Sequence, residues 1–198
     1  MVKGKPKKEK KQASHEKKQA PAKNEEKETP AKKIKEESAE KAEKECCQDV
    51  DVSKYDYKKT AWRNKPFYTK KIFTIFHVPI NIEPAITDAM EEMKGKGYRC
   101  SDEFMLMQKE TGWLSSNLYF SIDNPEKGDP NVERITGEFV SKGFVGPYNK
   151  LFEPVKDLMQ HLRKKGLESK ELYMWYVNCP KCAKKQGGLK TILLARLK

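Results

Sequence analysis

The chain has no long hydrophobic run, only three histidines and, over its first 45 residues, no aromatic side chain. No stretch approaches the roughly 18 consecutive apolar residues of a membrane-spanning helix, so we expect no membrane association. The N-terminal residues pass directly into charge instead of an apolar segment, so we expect no secretory signal. A cytoplasmic, reducing setting follows, in which the five cysteines are thiols or metal ligands.

The scarcity of histidine also bears on catalysis, because a Ser–His or Cys–His nucleophile pair needs a suitably placed imidazole. His77 ends an apolar strand, and His161 lies in a helical pattern among Lys and Arg residues. Neither has a carboxylate partner at a characteristic spacing. The sequence therefore gives no indication of a hydrolytic triad, and we predict no cofactor.

The first 45 residues contain 15 Lys and 10 Glu with almost no large apolar side chain. Such a segment cannot bury enough surface to offset a chain entropy of roughly 1–2 kcal/mol per residue, so residues 1–45 are predicted to be a disordered charged tail. Because its charges are mixed and it has no ring to stack on a base, we expect at most weak, non-specific nucleic-acid contact. Residues 46–70 contain five aromatic residues and are predicted to be a transitional segment that packs on the domain.

Residues 71–198 are predicted to form the domain, with halves 71–123 and 133–198 related by an internal repeat. The offset is 68 to 69 residues. Phe76–Ile80 aligns with Phe144–Tyr148, and the following positions also correspond: Met90, Met93, Gly97, Phe104 and Met105 with Met159, Leu162, Gly166, Tyr173 and Met174. The prediction is an α+β fold, a tandem βαββ duplication with pseudo-two-fold symmetry, an antiparallel sheet and two helices. Each half leaves an apolar face, so we expect the halves to pack together and a pocket to form at the seam.

Local signals place the elements of each half. The first strand is predicted from Lys71 to Val78, because that stretch is rich in Ile, Phe and Thr. The first helix is predicted to start at Pro84 and to end at Gly95 and Gly97. It carries an apolar stripe on one face, made of Ile86, Ala89, Met90 and Met93. The second helix starts at Pro154 and ends at Gly166.

Two motifs of the C-terminal half carry a resemblance to a known family. They are Phe144-Val145-Gly146-Pro147-Tyr148, and Tyr176 followed by Cys179-Pro180-Lys181-Cys182-Ala183-Lys184. Over roughly residues 58–198 the chain resembles the GyrI-like (gyrase-inhibitor-like) small-molecule-binding family. Within that family it is similar to a bacterial and archaeal subgroup with Phe-x-Gly-Pro-Tyr and Cys-Pro-Lys-Cys. Val145 stands where that subgroup often has Glu.

The resemblance implies an aromatic groove between two halves that binds bulky, aromatic or cationic organic molecules. Some members of the family are effector-binding domains of regulators, some are stand-alone binders, and some hydrolyse strained electrophilic rings such as cyclopropane-bearing genotoxins. No helix-turn-helix pattern precedes the domain here, so we do not expect a transcription factor.

Six aromatic residues at the ends of or within the strands bordering the seam are predicted to bind the ligand: Trp113, Tyr119, Phe144, Tyr148, Tyr173 and Trp175. Aromatic faces attract flat or cationic molecules through stacking and cation–π contact, worth roughly 0.5–2 kcal/mol each. The alternative for each residue is that it fills the core.

Two glutamates are the candidate catalytic acids. Glu110 falls in a predicted loop close to Trp113, and Glu138 falls within the long strand of the second half. A partly buried carboxylate among aromatic rings would attract a cation or act as a general base on water. The alternative for both is a solvated acid. Glu103 and Glu171 lie at strand starts, where we expect exposure.

Cys179-x-x-Cys182 has the spacing of half a zinc site, but tetrahedral zinc needs four ligands. Cys46, Cys47, Cys100 and His77 could complete the site only if the fold brings them together. A single pair is a weak signal, so we predict no metal and interpret the pair as thiols in a hairpin turn. Neighbouring lysines would favour the thiolate.

The leading hypothesis is a cytoplasmic small-molecule-binding protein with an aromatic groove. The alternative is a hydrolase that opens strained electrophilic rings, with Glu110 or Glu138 directing water. A third is a nucleic-acid-associated or structural protein acting through the Lys-rich tail. A glutamate pointing into an aromatic cavity would favour catalysis, and an acid-free groove would favour binding alone.

Overall fold

A computed structural model describes residues 47–75 and 78–198. The predicted charged tail lies outside the described residues, as do Cys46, Phe76 and His77. The described strands are β1 (Lys59–Ile75), β2 (Val78–Pro79), β3 (Leu106–Gly112), β4 (Ser115–Ser121), β5 (Val132–Val145), β6 (Ser169–Tyr176) and β7 (Lys190–Leu197). The described α-helices are α1 (Ile82–Gly95), α2 (Phe152–Lys164) and α3 (Pro180–Ala183), and 3₁₀ turns span Val52–Tyr55 and Tyr148–Lys150.

The strands form one antiparallel sheet whose pairings close into a ring. β1 pairs with β4 and β4 with β3, while β5 pairs with β7 and β7 with β6. The two sets join where β3 pairs with β6 and again where β1 pairs with β5. The predicted α+β class with an antiparallel sheet is therefore confirmed.

Both long helices end where the sequence indicated. Each stops two residues before a glycine in the left-handed region, Gly97 at φ 70° and Gly166 at φ 67°, a conformation that costs glycine little. α1 buries Ala85, Ala89 and Met93 against the sheet. Met90 was predicted to share that stripe, but it is 41% exposed, because its position lies beside the stripe and not at its centre.

β1 begins well before the predicted start at Lys71, because its first half contains lysines and an arginine that hide the strand pattern. The strand has a register shift between Trp62 and Lys65, with Asn64 at φ 54°. The irregularity lets the first part of β1 pair with β5 and the last part with β4. This long strand therefore connects the two sets of strands.

Because strand side chains alternate, the ring has an inner face and an outer face. α1 and α2 cover the outer face. α1 packs on Leu118 and Phe120, and α2 packs on Val140 and Leu193. The inner face is a separate apolar cluster rich in rings and sulfur: Phe67, Met105, Met107, Tyr119, Ile135, Phe139, Tyr173, Ile192 and Leu194. Among the described residues, no α-helix contributes to this inner cluster.

Residues 47–57, here called the N-terminal cover, pack on the inner face through Val52 and Tyr55, whereas Tyr57 reaches the outer cluster and stacks on His161 of α2. Val52 is buried in the inner cluster, and the Tyr55 ring meets Trp175 edge-on at 5.6 Å between ring centroids. The Ser141 hydroxyl donates a hydrogen bond of 2.6 Å to the Tyr55 carbonyl. Apolar contact and backbone hydrogen bonding thus hold the cover in place.

The close approach of the cover to β5 gives a test of its packing. A Cβ added at Gly143 would lie 2.0 Å from the Val52 carbonyl oxygen, whereas one added at Gly95 meets nothing within 4 Å. We expect Gly143→Ala to displace the cover and lower the free energy of unfolding by about 1–3 kcal/mol in urea denaturation. Gly95→Ala is the control and should be neutral or slightly stabilising. Equal stability of the two variants would contradict this packing.

Candidate functional site

One end of the inner face carries a charged network between three strands. On β6, Glu171 accepts a hydrogen bond from Lys109 Nζ at 3.0 Å and another from Arg196 NH1 at 2.8 Å. The Tyr173 hydroxyl donates to the same carboxylate at 3.0 Å. The Glu171 carboxylate is therefore surrounded by three donors.

A second tyrosine and glutamate lie beside this network. The Tyr119 hydroxyl on β4 donates to Glu133 on β5 at 3.0 Å. The Tyr119 and Tyr173 rings meet edge-on at 5.6 Å, and Lys109 Nζ lies 5.6 Å and 5.3 Å from their centroids. Two tyrosine–glutamate pairs thus flank one lysine.

The two tyrosine rings and the charged groups differ in exposure. Tyr119 and Tyr173 have 0% relative exposure, so no water-sized void touches them. The side chains of Lys109, Glu171 and Arg196 are 16%, 24% and 25% exposed. Solvent therefore reaches the inner face from the charged end.

The rest of the inner face is closed by aromatic packing. Trp62 of β1 lies over Phe139 and Phe67, with centroid distances of 4.3 Å and 5.7 Å. The N-terminal cover adds Val52 and Tyr55. The expected open groove is therefore not found at this seam, because side chains of β1 and of the cover fill it.

Burial and the charged neighbours set the protonation states of the network. Burial alone would raise the pKa of Glu171, but hydrogen bonds from Arg196, Lys109 and Tyr173 lower it to about 2. Burial raises the pKa of Tyr119, and the Glu133 carboxylate acts in the same direction. Burial also raises the pKa of Tyr173. Glu171 is thus a fixed anion, and both tyrosines remain proton donors at neutral pH.

The two carboxylates therefore differ in what they can do. Glu171 is held by three donors and serves to position Tyr173 and Lys109. Among the described residues no basic side chain forms an ion pair with Glu133, whose hydrogen-bond partner is the Tyr119 hydroxyl. The Glu133 carboxylate can accept a cation or a proton from water.

The six predicted aromatic ligand-binding residues do not all meet. Tyr119, Tyr173 and Trp175 share the inner face. Phe144 packs on the outer face under α2, and Tyr148 contacts Tyr176 at 5.2 Å. Trp113, in the β3–β4 hairpin, is 77% exposed. The sequence repeat could not show which of these aromatic residues share a face of the sheet. Alternation along each strand, not distance along the chain, determines whether a side chain points to the inner or the outer face.

The predicted acids are also placed elsewhere. Glu110 belongs to β3 and not to a loop, and both Glu110 and Glu138 are exposed. Their strand positions alternate with the inner residues Met107 and Phe139. Glu171, expected to be exposed, is half-buried instead. Glu133 was missed, although its spacing of two from Ile135 gave the signal for the inner face.

Two surface depressions lie away from the tyrosine–glutamate pairs. One of about 460 Å³ lies between the cover and α2, lined by Tyr57, Lys59, Val140, His161, Lys165 and Leu167. Another of about 660 Å³ lies along α1 and includes Met90 and Cys100. The first depression also has a ring pair among charges, since Tyr57 stacks on His161 at 3.9 Å and its hydroxyl donates to Asp157. The inner face is preferred as the candidate site because it alone of the three includes the predicted aromatic residues Tyr119, Tyr173 and Trp175.

Two solved EcmrR structures are similar to this architecture, and a third protein is less similar. The C-terminal domain of EcmrR has a TM-score of 0.60 and 15% identity, covering 71% of this chain and 96% of that domain. The longer chain in an EcmrR–DNA complex has a TM-score of 0.59 and 15% identity, covering 85% of this chain and 64% of that one. A hydrolase from Listeria innocua has a TM-score of 0.47 and 12% identity, covering 82% and 98%. The EcmrR likeness fits a GyrI-like fold.

A family model described as bacterial hydrolase matches residues 37–197. The chain therefore belongs to that bacterial hydrolase family. No curated protein matches it. Within the described residues, no helix is long and apolar enough to cross a membrane.

The low pKa of Glu171 predicts how stability depends on pH. The folded value of about 2 lies below the value of about 4.3 in an unfolded chain. The carboxylate therefore stabilises the fold above about pH 4.3, and this contribution is lost as the pH falls toward 2. We expect Glu171→Gln to lower the free energy of unfolding by about 1–3 kcal/mol at pH 6, with a difference from wild type that shrinks below pH 4.

Urea denaturation across this pH range measures the difference directly. Glu138→Gln, at an exposed position on the outer face, is the matched control and should follow the wild type throughout. A Glu171→Gln deficit that stays constant from pH 6 to pH 3 would show that the carboxylate charge contributes nothing.

Proposed function

We propose that this protein binds a bulky, aromatic organic cation in the cytoplasm, at the charged end of the inner face. Tyr119, Tyr173 and Trp175 would supply ring faces, and Glu133 the negative charge. The supporting observation is that a face otherwise built of apolar side chains carries two glutamates, a lysine and an arginine. Partly buried charges are costly, and perturbed charged groups cluster at functional sites, which favours a binding role for this end of the face.

The ligand would enter where the network meets solvent. The Glu171 group is already neutralised by Lys109 and Arg196, so a cation gains little there. Glu133 lacks such a partner and lies next to the Tyr119 ring. The Tyr119 ring is fully buried and has Lys109 over it, so a cation reaches the ring only if neighbouring side chains move. Once they do, a cation between that ring and the Glu133 carboxylate would gain both cation–π and ion-pair energy.

Opening the site further would require the N-terminal cover to move. The cover is a short segment held to the inner face through Val52 and Tyr55. Its displacement would uncover Trp175 and widen the site from the charged end into the apolar interior. A ligand that takes the place of Val52 and Tyr55 would restore the apolar contacts that the inner face loses when the cover moves.

We also propose that the two halves have the pseudo-two-fold symmetry that the sequence repeat suggests. Strand, helix, strand, strand occurs in each half, and β1 and β5 occupy equivalent positions, as do β3 and β6. Equivalent strands pair with each other at both junctions. This supports a tandem duplication with pseudo-two-fold symmetry. The sequence motifs Phe144–Tyr148 and Cys179–Cys182 support membership of the GyrI-like subgroup with Phe-x-Gly-Pro-Tyr and Cys-Pro-Lys-Cys.

A second candidate function is hydrolysis of a strained, electrophilic ring. The family description, bacterial hydrolase, supports hydrolysis, and the resemblance to the GyrI-like family implies the ring. Glu133 would accept a proton from water as the water oxygen attacks a ring carbon. The strained carbon–carbon bond breaks, its electron pair passes into the electron-withdrawing group of the substrate, and that group takes up a proton. The hydroxyls of Tyr119 and Tyr173 lie beside Glu133 and Glu171 and could supply this proton.

Two ligands of one shape and opposite charge test the binding proposal. We expect isothermal titration calorimetry to show binding of tetraphenylphosphonium and much weaker binding of tetraphenylborate. Glu133→Gln should weaken binding of the cation about tenfold, or about 1.4 kcal/mol. Glu138→Gln, the exposed control, should leave it unchanged. Equal affinity of wild type and Glu133→Gln for the cation would remove Glu133 from the site.

Hydrolysis has its own measurement. Mass analysis of a cyclopropane-bearing electrophile incubated with the protein should show addition of one water. Glu133→Gln should lower the rate about 100-fold or more, as loss of a general base does. Cation binding without any turnover would support the binding function and contradict hydrolysis.

A further inference from the structure

Three cysteines that are distant in sequence meet beside the loop between β6 and β7. The sulfur atoms of Cys47, Cys179 and Cys182 all lie within 4.8 Å of one another. Cys182 is buried, and the other two are half-buried. The sequence named Cys47 as one of four residues that could complete the Cys179–Cys182 pair, and the fold brings it there from the N-terminal cover.

We propose that these three cysteines supply three of the four ligands of one Zn²⁺ ion that fastens the N-terminal cover to the domain. Zinc–sulfur bonds of about 2.3 Å in a tetrahedron put the ligand sulfurs about 3.8 Å apart. Three sulfurs within 4.8 Å can reach that spacing through small side-chain rotations. Thiolate sulfur is a soft ligand that selects zinc over magnesium or calcium.

The backbone around the cysteines supports thiolates. The Cys179 N–H donates to Cys47 Sγ at 3.3 Å, and the Cys182 N–H donates to Cys179 Sγ at 3.5 Å. Hydrogen bonds to sulfur stabilise its negative charge and orient the ligand. Lys181, Lys184 and Lys185 add positive charge nearby in the sequence, which offsets the negative charge of several thiolates.

Other contacts hold Cys47 at this position. Gln186 Nε2 donates to the Cys47 carbonyl at 3.1 Å. Lys190 forms an ion pair with Asp49 and donates to the Val50 carbonyl at 3.0 Å. The first ligand is thus placed by contacts that do not depend on its sulfur, as expected of a partly pre-formed site.

The inference rests on these three cysteines alone. Cys46 precedes Cys47 in the sequence and lies outside the described residues. Cys100 is exposed and pairs through its backbone with Ile122 on another part of the sheet. Cys100 therefore offers a matched control within the same chain.

The test measures metal in the full chain, purified with a reductant and without chelator. We expect about one zinc ion per chain by inductively coupled plasma mass spectrometry. After removal of zinc, titration with Co²⁺ should give thiolate-to-cobalt charge transfer and the visible bands of a tetrahedral site. Cys179→Ser and Cys47→Ser should each weaken cobalt binding at least about tenfold. Cys100→Ser should match the wild type.

Circular dichroism of each variant ensures that lost binding is not lost folding, and the wild-type titration stands without any variant. A wild-type chain that gives no cobalt charge transfer would overturn the proposal. So would equal loss of cobalt binding in Cys100→Ser and Cys179→Ser. Recovery of Cys47 in a disulfide with Cys179 or Cys182, without metal, would assign the cluster to thiol redox chemistry instead.

Discussion

The structure depends on closure of the sheet through the pairing of β1 with β5. Closure gives every strand two neighbours among β1, β3, β4, β5, β6 and β7, and it separates an inner face from the helix-covered outer face. Side chains that alternate along each strand must then go inward or outward, with no third choice. A charged residue at an inward position has to find its partners inside the ring. Lys109, Glu171 and Arg196 do so with each other.

The remaining inward polar groups define what the protein can recognise. Glu171 is satisfied by its neighbours, so it fixes the geometry of Tyr173 and Lys109. Glu133 is left with a tyrosine hydroxyl as its hydrogen-bond partner and keeps its capacity for a positive charge. The same asymmetry serves either proposed activity, because a cation and a water proton both need an uncompensated carboxylate.

The N-terminal cover connects the site with the cysteine cluster. Its first residue contributes a sulfur to the cluster, and Val52 and Tyr55 lie on the inner face. A metal at the cysteines would shorten the free length of the cover and limit how far it can move. Loosening of the cover and opening of the inner face are then parts of one motion.

Sequence reasoning reached the class of fold, both long helices and their glycine ends, because these depend on local periodicity and on backbone conformation. It placed Tyr119, Tyr173 and Trp175 near the seam for the same reason. Glu133 was missed although it lies two residues before Ile135, because a glutamate in a strand pattern indicates an exposed position. It could not join Cys47 to Cys179, since that contact spans 132 residues and depends on the path of the cover.

The most direct test of a cation site at the charged end of the inner face is hydrogen–deuterium exchange with and without tetraphenylphosphonium. The account predicts slower exchange in β4, β5 and β6 around Tyr119, Glu133 and Tyr173, with faster exchange in residues 47–57 as the cover is displaced. Protection confined to the depression along α1, or no change in these three strands at a saturating ligand concentration, would contradict it.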